Sequence, residues 1–131
     1  MSRGNTMKIK FENKRLITEG FEVTLSKNIK NVLYKNGVYV VLFDIPSGSY
    51  ETENIVGLNN RGNIIWTVEN AENVFPIAGK SEQSHQYVSL RIYEGIAQQD
   101  ESVFIAIPFW GPRYLVDYTT GKIVQKLAAN R

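Results

Sequence analysis

Short stretches of alternating apolar and polar residues run through the chain, and Gly, Asn and Pro residues interrupt them. Ile9 and Phe11 alternate with charged residues, and Phe21, Val23 and Leu25 alternate with polar ones. A period of two is typical of strands with one buried face. Because no segment keeps a helical period over more than two turns, the pattern predicts an all-β protein.

The most apolar stretch is residues 37–45, GVYVVLFDI, which is rich in β-branched and aromatic side chains. Such a continuous apolar run predicts a central strand that is covered on both faces. Asn36-Gly37, directly before it, predicts a tight hairpin turn, since both residues tolerate positive φ. Residues 102–109, SVFIAIPF, have the same character and form its counterpart.

Two strand-turn-strand stretches, residues 54–69 and 113–126, read as copies of each other when Gly62 is placed on Gly121. We therefore predict two β units in succession, each of about four antiparallel strands in up-and-down order. The aligned pairs are Leu58 with Asp117, Ile64 with Ile123, Ile65 with Val124, Val38 with Val103, Tyr39 with Phe104 and Val40 with Ile105.

The predicted organisation is a single domain over residues 1–131, a length that can bury a sizeable core. Its predicted parts are a disordered tail (1–6), a hairpin (7–19) that turns at Asn13-Lys14, a first β unit (21–69), a connection (70–85) and a second β unit (86–127).

Composition excludes several classes of function. The chain has no cysteine, which removes disulfides, thiolate metal sites and cysteine nucleophiles, and this fits a cytoplasmic protein. Its net charge is +2, and its basic residues form no long stripe of the kind that binds nucleic acid. The basic cluster from Lys8 to Arg15 alternates with apolar residues and is typical of the wet face of a hairpin. No apolar run is long enough to span a membrane, and the polar start lacks a secretory signal.

The sequence carries no recognisable catalytic pattern. His85, the only histidine, lies in the irregular connection without neighbouring ligands or a nucleophile. Glu51 with Glu53, and Asp100 with Glu101, sit in polar loops where carboxylates are normally solvated. We therefore predict a protein that is not an enzyme and that holds neither a metal nor a cofactor.

Residues 86–94, QYVSLRIYE, alternate strictly and predict a strand with one wet face. Tyr87, Arg91 and Tyr93 would share that face. Aromatic and basic residues together can bind single-stranded nucleic acid. Cross-strand packing on a wet sheet explains these three residues better, so we predict no nucleic-acid partner.

The second repeat reads Asp117-Tyr118-Thr119-Thr120-Gly121-Lys122-Ile123, and this D-x-x-T-G-K-I motif resembles the blade repeats of quinoprotein-type β-propellers. The first copy, residues 58–66, is similar and ends on Trp66. In that family the Asp and Thr side chains bond within the turn, the Gly takes positive φ and the Trp packs between blades. Two units are too few for a closed propeller, so we predict a sandwich or an open or partial barrel. The resemblance implies no cofactor, because the quinone ligands have no matching positions.

The overall pattern is also similar to that of small bacterial proteins that resemble immunity proteins of toxin systems. It combines the hairpin, a buried strand that ends in D-I-P, the G-N-I-I-W stretch and the final D-x-x-T-G-K. This resemblance implies a small cytoplasmic inhibitor that masks a toxin domain.

The loops that differ between the two units are the predicted binding surface. Aromatic residues and arginine dominate protein-binding hot spots, and four such residues lie on equivalent loops. They are Tyr50, Phe109, Trp110 and Arg113. Trp110 covering the end of the core is the structural alternative. A small-molecule or sugar-binding β-protein and the subunit of a homo-oligomer, joined through edge strands, are the alternative functions.

Overall fold

The computed structural model describes residues 8–46, 51–71, 86–92, 102–109 and 112–127. The chain is an all-β protein, as the alternating pattern predicts, and within these ranges its strands form three antiparallel sheets, none of which closes into a barrel. The strands are β1 (Lys10–Glu12), β2 (Arg15–Ile17), β3 (Glu22–Thr24), β4 (Ile29–Lys35), β5 (Val38–Phe43), β6 (Ile55–Leu58), β7 (Ile64–Thr67), β8 (Tyr87–Ile92), β9 (Val103–Pro108), β10 (Arg113–Asp117) and β11 (Ile123–Leu127).

The N-terminal sheet contains β1, β2 and β3. Its first turn is the predicted one, and Asn13 adopts a φ of 56° there. The sheet extends beyond the predicted hairpin, because β3 pairs with β2 from Arg15–Thr24 to Ile17–Glu22. The assignment of residues 21–25 to the first β unit was therefore wrong, and that unit's own sheet begins at β4. The predicted tail, residues 1–6, lies outside the described residues.

The two predicted β units are two four-stranded meanders. The first sheet has the order β4-β5-β6-β7, and the second has the order β8-β9-β10-β11. The Asn36-Gly37 hairpin between β4 and β5 is confirmed, since both residues have positive φ, 53° and 85°. Each sheet consists of sequence neighbours joined in up-and-down order.

The three sheets stack as layers, with the first four-stranded sheet in the middle. All six residues of β5 are buried, as the continuous apolar run predicts. Because successive side chains point to opposite faces, Val40 enters the core shared with the second sheet, whereas Val41 enters the core shared with the N-terminal sheet.

The outer strands of both four-stranded sheets carry β-bulges at equivalent places. In the first sheet the register shifts around Lys30 and at Ile65, and in the second sheet it shifts around Val88 and at Val124. The prediction that Tyr87 and Arg91 share one solvent-exposed face of β8 is wrong, because the bulge at Val88 shifts the alternation of side chains. Tyr87 is buried in the core with Leu90, so it does not share a face with the exposed Arg91.

The glycine turns of the two repeats differ by one residue. In the first, the Asn59 N–H donates to the Asn63 carbonyl, and the Asn59 side chain accepts from the N–H groups of Arg61 and Asn63. In the second, the Asp117 N–H donates to the Lys122 carbonyl. Because the second turn is longer by one residue, the pairing of Leu58 with Asp117 was wrong and Asn59 is the true counterpart of Asp117.

The longer turn is held by side chains of its own residues. Asp117 Oδ1 accepts from the N–H and the hydroxyl of Thr119 at 2.7 and 2.6 Å, and Thr120 Oγ1 accepts from the N–H of Lys122 at 3.2 Å. Gly121 adopts a φ of 74°, which a residue with a Cβ rarely adopts. Side chains of Asp117, Thr119 and Thr120 therefore hold this turn, and Gly121 supplies its positive φ.

Candidate functional site

Trp66 of the first unit contacts the second unit, and we call this contact the joint between the two units. The predicted core position is confirmed, since the indole is only 8% exposed, and its Nε1–H donates to the backbone carbonyl of Tyr118 at 2.6 Å. The ring lies over Gly57 of its own sheet, where any Cβ would overlap it, and a Cβ at Gly121 would lie 2.5 Å from Cε3. Gly57 of β6 and Gly121 of the β10–β11 turn therefore make room for one indole.

Asn54 joins the same two units through a second pair of hydrogen bonds. It is fully buried, and its Nδ2 donates to the Tyr87 carbonyl at 2.8 Å while its Oδ1 accepts from the Tyr87 N–H at 3.2 Å. The side-chain amide thus pairs with the backbone as a strand would. Both polar atoms of the amide are satisfied, so the role of Asn54 is structural.

Gln86 brings the loop ends of the two units together. Its side-chain Oε1 accepts from the Glu51 N–H at 3.1 Å, and its backbone carbonyl accepts from the Phe109 N–H at 2.7 Å. Glu51 belongs to the long loop of the first unit, and Phe109 belongs to the corresponding loop of the second. The bases of the two equivalent loops therefore meet at one residue.

Two of the four predicted site residues lie in the described part of the chain. Phe109 is 62% exposed just beyond β9, and the half-buried Arg113 begins β10. Tyr50 and Trp110 lie outside the described residues, as does His85. Phe109 is thus an exposed aromatic residue directly after β9, and the binding role of the four residues stays a prediction.

A second group of residues escaped the sequence analysis. Phe104 and Ala106 of β9 enter the core against the first sheet, so the alternate residues Ile105 and Ile107 face the other way and are half-buried. We call this side the second front face and define it by Ile105, Ile107, Leu115, Arg91, Arg113 and Gln125. The row Arg91, Ile105, Leu115, Gln125 crosses all four strands through direct pairs. These residues lie on separate strands, and only strand pairing brings them together.

The charge of the second front face is mainly positive in the part of the chain that the structure describes. Arg91 is exposed and Arg113 is half-buried, and Asp117 lies at the end of the same face opposite Val103. One oxygen of that carboxylate already accepts two hydrogen bonds from Thr119. Leu115 is only 5% exposed, so the face combines a buried apolar centre with an arginine-containing rim.

The core behind this face contains buried phenols. Tyr87 and Tyr118 are each 1% exposed, and their hydroxyls have no hydrogen-bond partner among the described residues. Burial raises the pKa of Tyr118 to about 12 and raises the pKa of Tyr87 further. Both hydroxyls are therefore neutral at physiological pH and are not poised to exchange protons.

Two cavities lie at another part of the surface, around the N-terminal sheet. A shallow one of about 420 Å³ lies at the β1–β2 turn, and another of about 230 Å³ extends toward Asp44 and Pro46. The first is lined by Glu12, Asn13, Lys14, Arg15, Thr24 and Asn28. None of these lining residues offers an aromatic ring for stacking, so neither cavity supplies the platform expected of a sugar-binding protein.

Within the described ranges, no group of three or more His, Asp or Glu residues could hold a metal ion. The same ranges contain no helix that is long and apolar enough to cross a membrane.

Comparison with known proteins places the chain in a family without assigning a reaction. No curated protein matches the sequence. The match to a family model covers residues 6–127, which spans all eleven strands. The chain belongs to the family described as a domain of unknown function (DUF7957).

Proposed function

We propose that this protein is a non-enzymatic protein-binding module that acts through the loop end of its two β units. Phe109 carries the proposal as an apolar anchor, since its side chain is 62% exposed and its backbone N–H donates to the Gln86 carbonyl just beyond β9. Such anchors supply much of the energy of protein interfaces. Tyr50, Trp110 and Arg113 complete the proposed surface.

The proposed mechanism is masking of a partner, as in an immunity-type inhibitor of a bacterial toxin that acts in the cytoplasm. A module of this kind needs a stiff scaffold and exposed contact residues, and it needs no catalytic group. The three-layer core and the satisfied Asn54 bridge provide the scaffold. The choice of partner rests on the resemblance of the sequence pattern to small bacterial proteins of the immunity type.

Pairing of edge strands in a homo-oligomer is less favoured by the geometry. All four outer strands of the two large sheets carry a bulge, and bulges in edge strands hinder pairing with another chain. Contact through faces and loop ends is therefore the better basis for a partner interaction.

The test is a double substitution at the loop end. We expect Trp110→Ala/Arg113→Ala to abolish capture of a partner from lysate of the source organism while leaving the circular dichroism spectrum and the melting temperature close to those of the parent. Phe11→Ala/Arg15→Ala removes a matched pair of exposed side chains from the N-terminal sheet and should leave capture intact. Undiminished capture by the loop-end variant would refute the proposal.

A further inference from the structure

Gln86 is bonded to the loop-bearing ends of both units, and it uses a different atom for each. Its side-chain Oε1 accepts from the Glu51 N–H at 3.1 Å, and its backbone carbonyl accepts from the Phe109 N–H at 2.7 Å. Because a backbone N–H can only donate, the side-chain amide must present its oxygen to Glu51. The residue directly before β8 therefore fixes the main chain next to both loops.

The hydrogen bond from Glu51 is separate from the Asn54 bridge, which ties the first unit to the second three residues further along the chain. The Asn54 amide exchanges two hydrogen bonds with the backbone of Tyr87, and these bonds do not involve the side chain at position 86. The two sheets therefore stay connected at Asn54 whatever residue follows Gln86 in a variant series. The Gln86 side chain acts instead on the segment 51–53, which lies between the loop and β6.

The two segments that Gln86 holds carry side chains that a partner can reach. Glu51 and Thr52 are half-buried and Glu53 is exposed. Phe109 is 62% exposed. A contact residue on an unfixed segment has to be ordered when the partner binds, and fixing the backbone of one residue costs roughly tenfold in the binding constant. A hydrogen bond that orders the segment beforehand removes part of this cost.

From these observations we infer that Gln86 is the positioning residue of the loop-end surface. Its side chain holds the Glu51 segment in a fixed place relative to Phe109, so that one partner protein contacts both units at once. Gln86 acts through the Glu51 N–H and through no contact of its own with the partner. This inference rests on the proposed protein-binding function and deepens it, because it makes the surface a composite that neither unit forms alone.

The first part of the experiment replaces the side chain of Gln86 in the full-length chain and needs no partner. Gln86→Met keeps an unbranched side chain of similar length and removes the acceptor oxygen, whereas Gln86→Glu keeps an acceptor. In amide exchange followed by NMR, we expect Gln86→Met to speed exchange of the Glu51 N–H by about fivefold or more. The Phe109 N–H keeps its backbone acceptor, so its exchange should change by less than about twofold. Gln86→Glu should restore slow exchange at Glu51.

The second part measures binding of the same variants to the protein that the parent chain captures from lysate of the source organism, used in purified form. We expect Gln86→Met to weaken this complex about tenfold while its melting temperature stays close to that of the parent, and Gln86→Glu to recover most of the affinity. Asn63→Ala is the matched control, because it removes an exposed amide from the β6–β7 turn at the other end of β6. It should change the affinity by less than about twofold.

The outcomes separate the two proposals. Unchanged exchange at Glu51 in Gln86→Met overturns this inference, and so does full affinity of that variant when Phe109→Ala loses the complex; both leave the proposed function standing. A loss of affinity that Gln86→Glu fails to recover, with a lowered melting temperature in both variants, also overturns the inference, since Gln86 would then only support the fold. A chain that captures no protein overturns both proposals.

Discussion

Two equivalent rows of side chains cross the two four-stranded sheets, and their differences separate a row that packs against the neighbouring sheet from a row with exposed ends. The first row is Leu33, Val40, Gly57, Trp66, and the second is Arg91, Ile105, Leu115, Gln125. In the first, a glycine makes room for a large indole that reaches into the next sheet. In the second, the indole is replaced by Gln125 and a leucine fills the space of the glycine. The same arrangement of four strands thus carries a buried row of side chains in the first sheet and a partly exposed row in the second.

The comparison also explains why the glycine turns differ. Gly121 receives the face of Trp66, and its neighbour Tyr118 accepts the hydrogen bond from the indole. Glu69 adds to the same joint, because its N–H donates to the Gly121 carbonyl and its side chain accepts from the Ile123 N–H, both at 2.9 Å. The turn of the second repeat therefore forms the site into which Trp66 and Glu69 of the first repeat pack. The turn of the first repeat instead packs against Phe21 of the N-terminal sheet through Gly62.

We expect the largest change in stability when Trp66 of the first row is replaced by glutamine, the residue at the equivalent position of the second row. Trp66→Gln removes the buried indole and its hydrogen bond, and we expect it to lower the free energy of unfolding by about 3–5 kcal/mol. Urea unfolding followed by circular dichroism measures this loss. Gln125→Ala, at the equivalent exposed position, should change the same quantity by less than about 0.5 kcal/mol. Equal losses at the two positions would remove the distinction between the two rows.

An intermediate effect is expected at Gly57. Gly57→Leu copies Leu115 into the first row, and overlap with the indole should cost about 1–3 kcal/mol or more. Combined with Trp66→Gln, the same leucine meets no indole, so the double variant should be more stable than the sum of the single losses predicts. A coupling of about 1 kcal/mol or more in a double-mutant cycle would confirm this. Gly20→Ala, whose Cβ would make an ordinary 3.5 Å contact, is the control. Strict additivity would contradict the prediction.

Local patterns in the sequence predicted the strands well and their partners less well. The continuous apolar run of β5 requires two covered faces, and the structure has both. Nothing local in residues 22–24 determines whether they pair with β2 or β4, because strand pairing depends on distant residues. For the same reason the bulge at Val88, which turns Tyr87 inward, had no signature in a strictly alternating segment.

The candidate site was predictable only in part. Phe109 and Arg113 stood out because aromatic and arginine residues in a loop are a local signal. The second front face did not, since Arg91, Ile105 and Gln125 come from three separate strands. The signal was present in the repeat alignment, where Trp66 falls opposite Gln125, but it becomes visible only when the strand register is known.

The smallest expected effect tests whether the joint depends on the side chain of Tyr118 or only on its backbone. The carbonyl of Tyr118 accepts the indole hydrogen bond, whereas its buried hydroxyl has no partner among the described residues. Tyr118→Phe keeps the carbonyl and removes an unsatisfied polar group, so stability at pH 7 should stay the same or rise by up to about 1 kcal/mol. A clear loss would show that the hydroxyl is bonded.

The same variant has a pH signature. An unfolded tyrosine ionises near pH 10, and burial raises the pKa of folded Tyr118 to about 12, so folding favours the neutral phenol. Its contribution to stability is complete below pH 10 and is lost as the pH rises through 12. Tyr118→Phe should therefore lose less stability than the parent between pH 10 and pH 12 in urea titrations. If stability falls equally with pH in Tyr118→Phe and in the parent, the phenol of Tyr118 is accessible to solvent and the core around Trp66 is less tightly packed than the structure shows.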